Sequence, residues 1–261
     1  MKDNIETTPA VEAHQLTVNY DKTPVLWDVS FRIPKGSLVG IVGPNGAGKS
    51  TLIKSALGLI RPISGRVLYG GKPLTNVRHK VAYVPQRETV DWDFPITVHE
   101  LVLMGRYGRL GLFRWPRKAD LEAVSHYLQL LNMAEFSNRQ ISQLSGGQQQ
   151  RAFLARALIQ EADIYFMDEP LAGIDHASET VIMNLLQELR SQGKTVFVVH
   201  HDLNTVEKYF NWVLLLNLRL IASGPTSQTF NATNLSQTYG TSYALLDEAL
   251  RLSQERRTGE R

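Results

Sequence analysis

Apolar positions recur along this chain with two different periods, and the switches between them outline a fold. Residues 11–33 read as short strands with turns: Val25, Trp27, Val29 and Phe31 alternate with polar or differently facing neighbours, the period of a half-buried strand. Residues 37–42 form a compact apolar run that ends in a glycine-rich turn, and residues 50–58 open a helix. Strand, glycine loop and helix in that order begin a βαβ unit. Leu121, Val124, Leu128 and Leu131 step by three, four and three, the stripe of an amphipathic helix. A second helix is expected from near Gly147 to about Gln160. Ile164–Met167 and Thr195–Val199 read as buried strands on either side of a helix marked by Ile182, Leu185, Leu186 and Leu189. Trp212–Asn217 and residues 219–222 predict a late hairpin around Asn217 and Leu218. From about Gln237 the chain reads as helical or frayed, with a charged, disordered end.

Helical patterns without strands fill roughly residues 96–158, and strand–helix alternation flanks them on both sides. The arrangement is that of a helical insertion in an α/β core. No internal repeat or low-complexity segment interrupts it.

Composition narrows the classes. With 261 residues, 43% apolar and 20% charged, the chain can bury a sizeable core and is ordinary for a globular protein. The net charge of +3 gives no ground for nucleic-acid binding. There is no cysteine, which excludes disulfides, thiolate metal sites and cysteine nucleophiles. No apolar run reaches the length of about 18 residues that a spanning helix needs, and the N-terminus lacks the pattern of a secretory signal. If the chain serves a membrane process, another chain crosses the membrane.

Gly43, Pro44, Asn45, Gly46, Ala47, Gly48, Lys49 and Ser50 fit the pattern G-x-x-x-x-G-K-[ST]. Such a loop turns backbone N–H groups onto phosphates, and the helix behind it adds its positive end. Lys49 is expected on the outer phosphates and the Ser50 hydroxyl on Mg2+. Asp168 and Glu169 follow the apolar strand at 164–167. Alone, an acidic pair in that place is a solvated turn. Downstream of a phosphate loop it reads as a metal-holding Asp168 and a Glu169 that orients or deprotonates water.

Leu144, Ser145, Gly146, Gly147 and Gln148 spell LSGGQ, a small-residue turn that opens a helix. With it the chain resembles the ABC ATPases, over about residues 11–235. The resemblance implies an ABC ATPase fold: a P-loop NTPase (RecA-like) α/β core over 1–95 and 159–235, an antiparallel β subdomain within it, an inserted helical subdomain over 96–158, and a tail over 236–261. It implies ATP and Mg2+ as cofactors, with Thr51 joining the loop residues. It places Ser145, Gly146, Gly147 and Gln148 on the γ-phosphate of an opposing copy, in a head-to-tail dimer holding two ATPs. Tyr20 resembles the adenine-stacking aromatic, strand packing being the alternative. Gln86 resembles the glutamine that senses Mg2+ and γ-phosphate, residues 171–175 the loop that crosses the dimer interface, and His201 the switch histidine. His200 is read as structural. A metal site at His200, His201 and Asp202 is disfavoured because adjacent strand residues face opposite ways.

Residues 87–108 carry Trp92, Phe94 and Tyr107. Together with the histidine pair and the strand at 209–216, they resemble the manganese/zinc/iron (chelated-metal) importer ATPases, manganese importers most closely. The resemblance implies docking of polytopic permease subunits near Trp92, Phe94 and Tyr107, with packing inside the helical insertion as the competing reading. It also implies a peripheral place on the cytoplasmic face of the membrane and only indirect dealings with an extracytoplasmic metal-binding protein. Zinc, iron or iron-chelate import, and a soluble ATPase of iron–sulfur assembly, stand as alternatives. The basic stretch Arg106, Arg109, Arg114, Arg117 and Lys118 reads as a solvated loop, with contact to the partner or to anionic headgroups as the other possibility.

Overall fold

The structure is a computed structural model. It describes residues 8–20, 23–110 and 115–240, the side chains of Tyr20, His176 and Ala177 excepted. In chain order the elements are β1 (Val11–Tyr20), β2 (Thr23–Ile33), β3 (Leu38–Val42), α1 (Lys49–Ala56), β4 (Ser64–Tyr69), β5 (Lys72–Pro73), α2 (Leu74–Val77) and β6 (Val81–Val84). The helices α3 (Val98–Leu103), α4 (Tyr107–Leu110), α5 (Lys118–Leu130) and α6 (Gly146–Leu158) follow. Then come β7 (Ile164–Met167), α7 (His176–Ser191), β8 (Thr195–Val199), α8 (Val206–Tyr209), β9 (Trp212–Asn217), β10 (Arg219–Pro225), α9 (Thr226–Thr229) and α10 (Ala232–Tyr239). The chain divides into two compact units.

The first unit contains the described residues to Glu12, Arg32–Val39 and Val67–Val199. Its centre is the parallel set β6, β7 and β8, in which Val81 faces Ile164 and Ile164 faces Thr195. Every residue of β7 and β8 is buried, as expected of parallel strands covered on both faces. The Val196 amide donates to the Ser37 carbonyl at 2.8 Å, which sets the approach to β3 beside β8. Phe166 stacks on Phe197 with centroids 4.6 Å apart, and Tyr69 meets Phe166 edge-on at 6.4 Å. Burying one such ring stabilises the fold by roughly 1.5–3 kcal/mol. β4 and β5 pair antiparallel. Between 96 and 158 the described residues form helices and turns, joined by a single bridge, Thr97 to Gln140.

The second unit contains Ala13–Phe31, Gly40–Arg66 and the described residues from His200 onward. It holds the end of β3, α1 and the antiparallel hairpin β9–β10, whose register runs from Asn217 opposite Arg219 to Trp212 opposite Pro225. Leu218 forms the turn with φ 59.

The elements depart from the sequence pattern in several places. β2 does not alternate evenly: Leu26, Val29, Phe31 and Ile33 are buried whereas Trp27 is 51% exposed. Asp28 takes the left-handed conformation, φ 52, and a residue so placed shifts the inward phase by one. Trp27 instead lies under the Arg219 guanidinium, 5.1 Å from its ring centroid. β10 extends to Pro225 and α10 begins at Ala232, earlier than expected. β4 and β6 lack the unbroken buried apolar run of β7 and β8: β4 is mostly exposed and β6 alternates half-buried with buried positions. No described helix is long and apolar enough to cross a membrane.

Candidate functional site

The phosphate loop belongs to the second unit. Two glycines there are dictated by close approach. A Cβ on Gly43 would collide with the carbonyl oxygen of Leu216 and also meet Ala47 Cβ at 3.2 Å. Gly48 sits at φ +92, where a Cβ would lie 2.6 Å from both Leu26 Cδ2 and the Val25 carbonyl. Gly48 is also the N-cap of α1 and lends no side-chain cap. The first-turn amides therefore stand where an anion can meet them, with the helix dipole behind. Lys49 is 6% exposed, and its ammonium donates to the Gly43 and Pro44 carbonyls, each at 2.8 Å. Ser50 is half-buried and Thr51 buried, while Asn45 and Gly46 are less covered than the rest of the loop.

Late chain segments support this loop. The Leu218 amide donates to the Ala47 carbonyl at 3.0 Å, and the Leu218 carbonyl accepts from the Trp27 amide at 2.8 Å. Asn217 Nδ2 donates to the Thr238 carbonyl at 2.9 Å, tying the hairpin to α10. Burial pushes the Tyr239 phenol up to about 12, against an opposing backbone hydrogen bond from Gly43 that favours the ionised form. The contacts of Leu218 and Tyr239 with the phosphate loop are not marked by anything local, since they span 170 residues or more.

The two histidines part company. His200 is 5% exposed, shares a 2.7 Å hydrogen bond with the Thr205 hydroxyl and packs on Phe210 at 5.1 Å. His201 is exposed. Tyr20 closes β1, and its side chain lies outside the described residues.

The acidic pair, Gln86 and the LSGGQ turn belong to the first unit. Asp168 follows β7, is fully buried, and has its amide bonded to the Val84 carbonyl at 2.9 Å. Burial, then the negative charge of Asp168, push the Tyr83 phenol well above its usual range. Glu169 is half-buried and left-handed, φ 55. For a non-glycine residue this conformation costs of order 1–3 kcal/mol, and such outliers cluster at functional sites. Gln86 is half-buried and precedes a short 3-10 turn, its carbonyl accepting from the Thr89 amide and hydroxyl.

The LSGGQ turn is a capping box. The Ser145 hydroxyl accepts from the Gln148 amide at 3.4 Å, and Gln148 Oε1 accepts from the Ser145 amide at 2.9 Å. This places the helix start at Gly146, one residue before the expected start. The S-x-x-Q spacing that signals such a box was present in the sequence. Beyond its first turn, α6 reaches two other parts of the same unit. Gln149 Oε1 accepts from Arg87 Nε at 2.9 Å, and Gln150 Nε2 donates to the Glu169 carbonyl at 3.4 Å. The Gly147 position lies against the Gly173 carbonyl, and Asp175, two residues on, caps α7. One helix thus links the LSGGQ turn, the segment after Gln86, the residue bearing the left-handed carboxylate, and residues 171–175. Arg87 and Gln150 are further residues that sequence reasoning missed.

The docking candidates differ among themselves. Trp92 is partly covered: its indole N–H donates to the Arg87 carbonyl at 2.9 Å and its ring meets Phe153 of α6 at 5.1 Å. Phe94 and Tyr107 are 56% and 50% exposed. In the basic stretch, Arg106 bonds Asp120 at 3.0 Å and Glu161 at 3.1 Å, and Arg109 pairs with Glu161. These two arginines are tied to the turn after α6, and Arg106 also to α5, rather than decorating a solvated loop. Arg114 lies outside the described residues.

Comparison with known proteins adds the chain's relatives. The family model described as ABC transporter matches residues 26–172. The manganese transport system ATP-binding protein of Bacillus subtilis is 59% identical over 230 residues, 88% of this chain and 92% of that protein. The zinc transport system ATP-binding protein of Treponema pallidum is 53% identical over 234 residues, 90% of this chain and 88% of that protein. Among solved structures, one described as an inward-facing metal-chelate type ABC transporter superposes with a TM-score of 0.75 at 30% identity, covering 88% of each chain.

Proposed function

The chain belongs to the ABC transporter family, and on that premise we propose that it energises import of a divalent metal ion, manganese first, by binding and hydrolysing ATP. Kinship with a manganese transport ATP-binding protein over nearly the whole of both chains carries this reading. Zinc is the second reading, on the strength of the zinc-system relative. The metal is cargo, and no step of the cycle needs it to touch this chain.

Each residue's part follows from its chemistry. Lys49, the loop amides and the start of α1 would offset phosphate charge. Ser50, Gln86 and Asp168 offer oxygen donors, which suit a hard Mg2+ ion, and a fully buried Asp168 fits a charge that needs a cation. Mg2+, when bound, would neutralise charge on the β- and γ-phosphates. Glu169 would hold the attacking water and take its proton, and His201 would contact the γ-phosphate. Ser145, Gly146, Gly147 and Gln148 would meet the nucleotide of a second copy, and Tyr20 would stack on adenine. Trp92, Phe94 and Tyr107 would seat the permease on the cytoplasmic face of the membrane, Trp92 being anchored on Phe153 of α6.

Vesicles carrying the chain with its permease subunits test the reading. They should accumulate manganese only when ATP is supplied on the side the chain occupies. Preference for zinc would change the cargo, and ATP-independent or absent uptake would overturn the proposal.

A further inference from the structure

A lysine-rich cavity lies in the first unit, at the opposite end of β7 from Asp168. It has a volume of about 450 Å3 and opens at the N-terminal ends of the parallel strands. Asp163 stands just ahead of β7 and Asp168 just behind it, about 16 Å apart along extended chain. Lysines reach the cavity from four separate places: Lys35 from the turn between β2 and β3, Lys72 from β5, Lys80 from just before β6, and Lys194 from just before β8. Asp163 is the one carboxylate among its lining residues.

Asp163 pairs with two of these four lysines and offsets one of their four charges. It lies 2.9 Å from Lys194 and 3.3 Å from Lys80. Burial alone would raise its pKa, but the hydrogen bonds from those two lysines outweigh burial and hold it below the usual carboxylate range. Among the described residues, Lys35 and Lys72 have no ion pair and no side-chain hydrogen bond. The cavity therefore keeps a local excess of positive charge. Its wall is also part of the folded interior, since Tyr69 and Thr195 line it at 3% and 2% exposure. The Thr195 hydroxyl is fixed by the Gly36 amide at 3.1 Å. Charge of one sign over low-dielectric walls concentrates counter-ions, and the volume falls in the range of sites that take small organic ligands, about 300–1,000 Å3.

We propose that this cavity binds a small multivalent oxyanion, a polycarboxylate or a compound with linked phosphates, separately from the nucleotide. Lys35 and Lys72 are the recognising cations, and Lys80, Lys194 and Asp163 form the fixed floor.

The test is calorimetric titration of the full chain, its nucleotide site filled with ADP, by citrate and by pyrophosphate. One further binding event is expected for at least one of the two anions, and which anion binds identifies the favoured group. Its affinity should fall with salt, drop at least tenfold in Lys35→Gln/Lys72→Gln, and survive in Lys35→Arg/Lys72→Arg. Because the glutamine variant breaks no ion pair, its melting temperature and ADP affinity should match wild type. Absence of binding by both anions, or equal affinity in wild type and the glutamine variant, would overturn the proposal.

Discussion

The Leu218 amide donates to the Ala47 carbonyl at 3.0 Å, so a residue at the tip of a late hairpin holds the phosphate loop by its backbone. The preceding strand crowds the same loop, because the Leu216 carbonyl fills the space a Cβ on Gly43 would need. Gly43→Ala must therefore push loop and hairpin apart. Overpacking of this kind costs typically 1–3 kcal/mol. ATP affinity should fall tenfold or more while the remainder of the fold persists, as read by nucleotide titration alongside thermal unfolding.

Glu169 unites a carboxylate with a left-handed backbone. Glu169→Gln keeps the shape and removes the base. Loss of general-base catalysis lowers turnover by about 10²–10⁴-fold, with ATP affinity retained. Single-turnover hydrolysis and equilibrium nucleotide binding separate the two effects, and full ATPase activity in this variant would remove Glu169 from its role.

Ser145→Ala removes the cap of α6. Lost N-caps cost about 0.5–2 kcal/mol, so the melting temperature should drop. Because α6 also holds Arg87 and the Glu169 carbonyl, ATPase activity should fall further than the stability loss explains. Ser145→Asp should restore the melting temperature as an alternative cap, while its charge keeps it poor at meeting a phosphate.

Three carboxylates at helix starts have lowered pKa values. Glu100 is lowered first by the Thr97 hydroxyl, Asp120 first by the Arg117 amide, and Asp175 first by the Ser178 hydroxyl. A depressed carboxylate pKa gives stability that is present above the unfolded value, near 4, and lost as pH falls through the folded value. Melting temperature should accordingly be level from neutrality to about pH 5 and decline steeply below about pH 4. Asp120→Asn should flatten part of that decline. Arg106→Ala, which takes the guanidinium from Asp120 and leaves Glu161 to Arg109, should cost about 1.5–3 kcal/mol in chemical denaturation at pH 7.

Phe94→Ala with Tyr107→Ala removes two exposed side chains. Basal ATP hydrolysis by the isolated chain should be unchanged, whereas permease-stimulated hydrolysis and uptake should fall. Trp92→Ala differs, because Trp92 packs on Phe153 in α6. It should lower basal hydrolysis as well.

Much of this was legible in the sequence because it is written in contiguous residues. β7 and β8 are unbroken apolar runs, and the structure gives the boundaries read from the sequence, Ile164–Met167 and Thr195–Val199. The hairpin turn at Leu218 followed from two runs meeting at one point. The phase slip in β2 was not legible, because alternation does not reveal that Asp28 turns left-handed. Nor were the bonds from Arg87 to Gln149, Gln150 to Glu169 and Leu218 to Ala47. Each joins positions far apart in the chain, and their partners are fixed by packing rather than by local pattern. The four lysines of the cavity are likewise scattered from 35 to 194 and meet only in the fold.

The most direct test of the central claim is the total manganese, zinc and iron content of cells lacking this chain, measured by elemental mass spectrometry and compared with cells rescued by wild type or by Glu169→Gln. Manganese should fall, wild type should restore it, and Glu169→Gln should not. Unchanged metal content in the absence of the chain, or full rescue by Glu169→Gln, would contradict that claim.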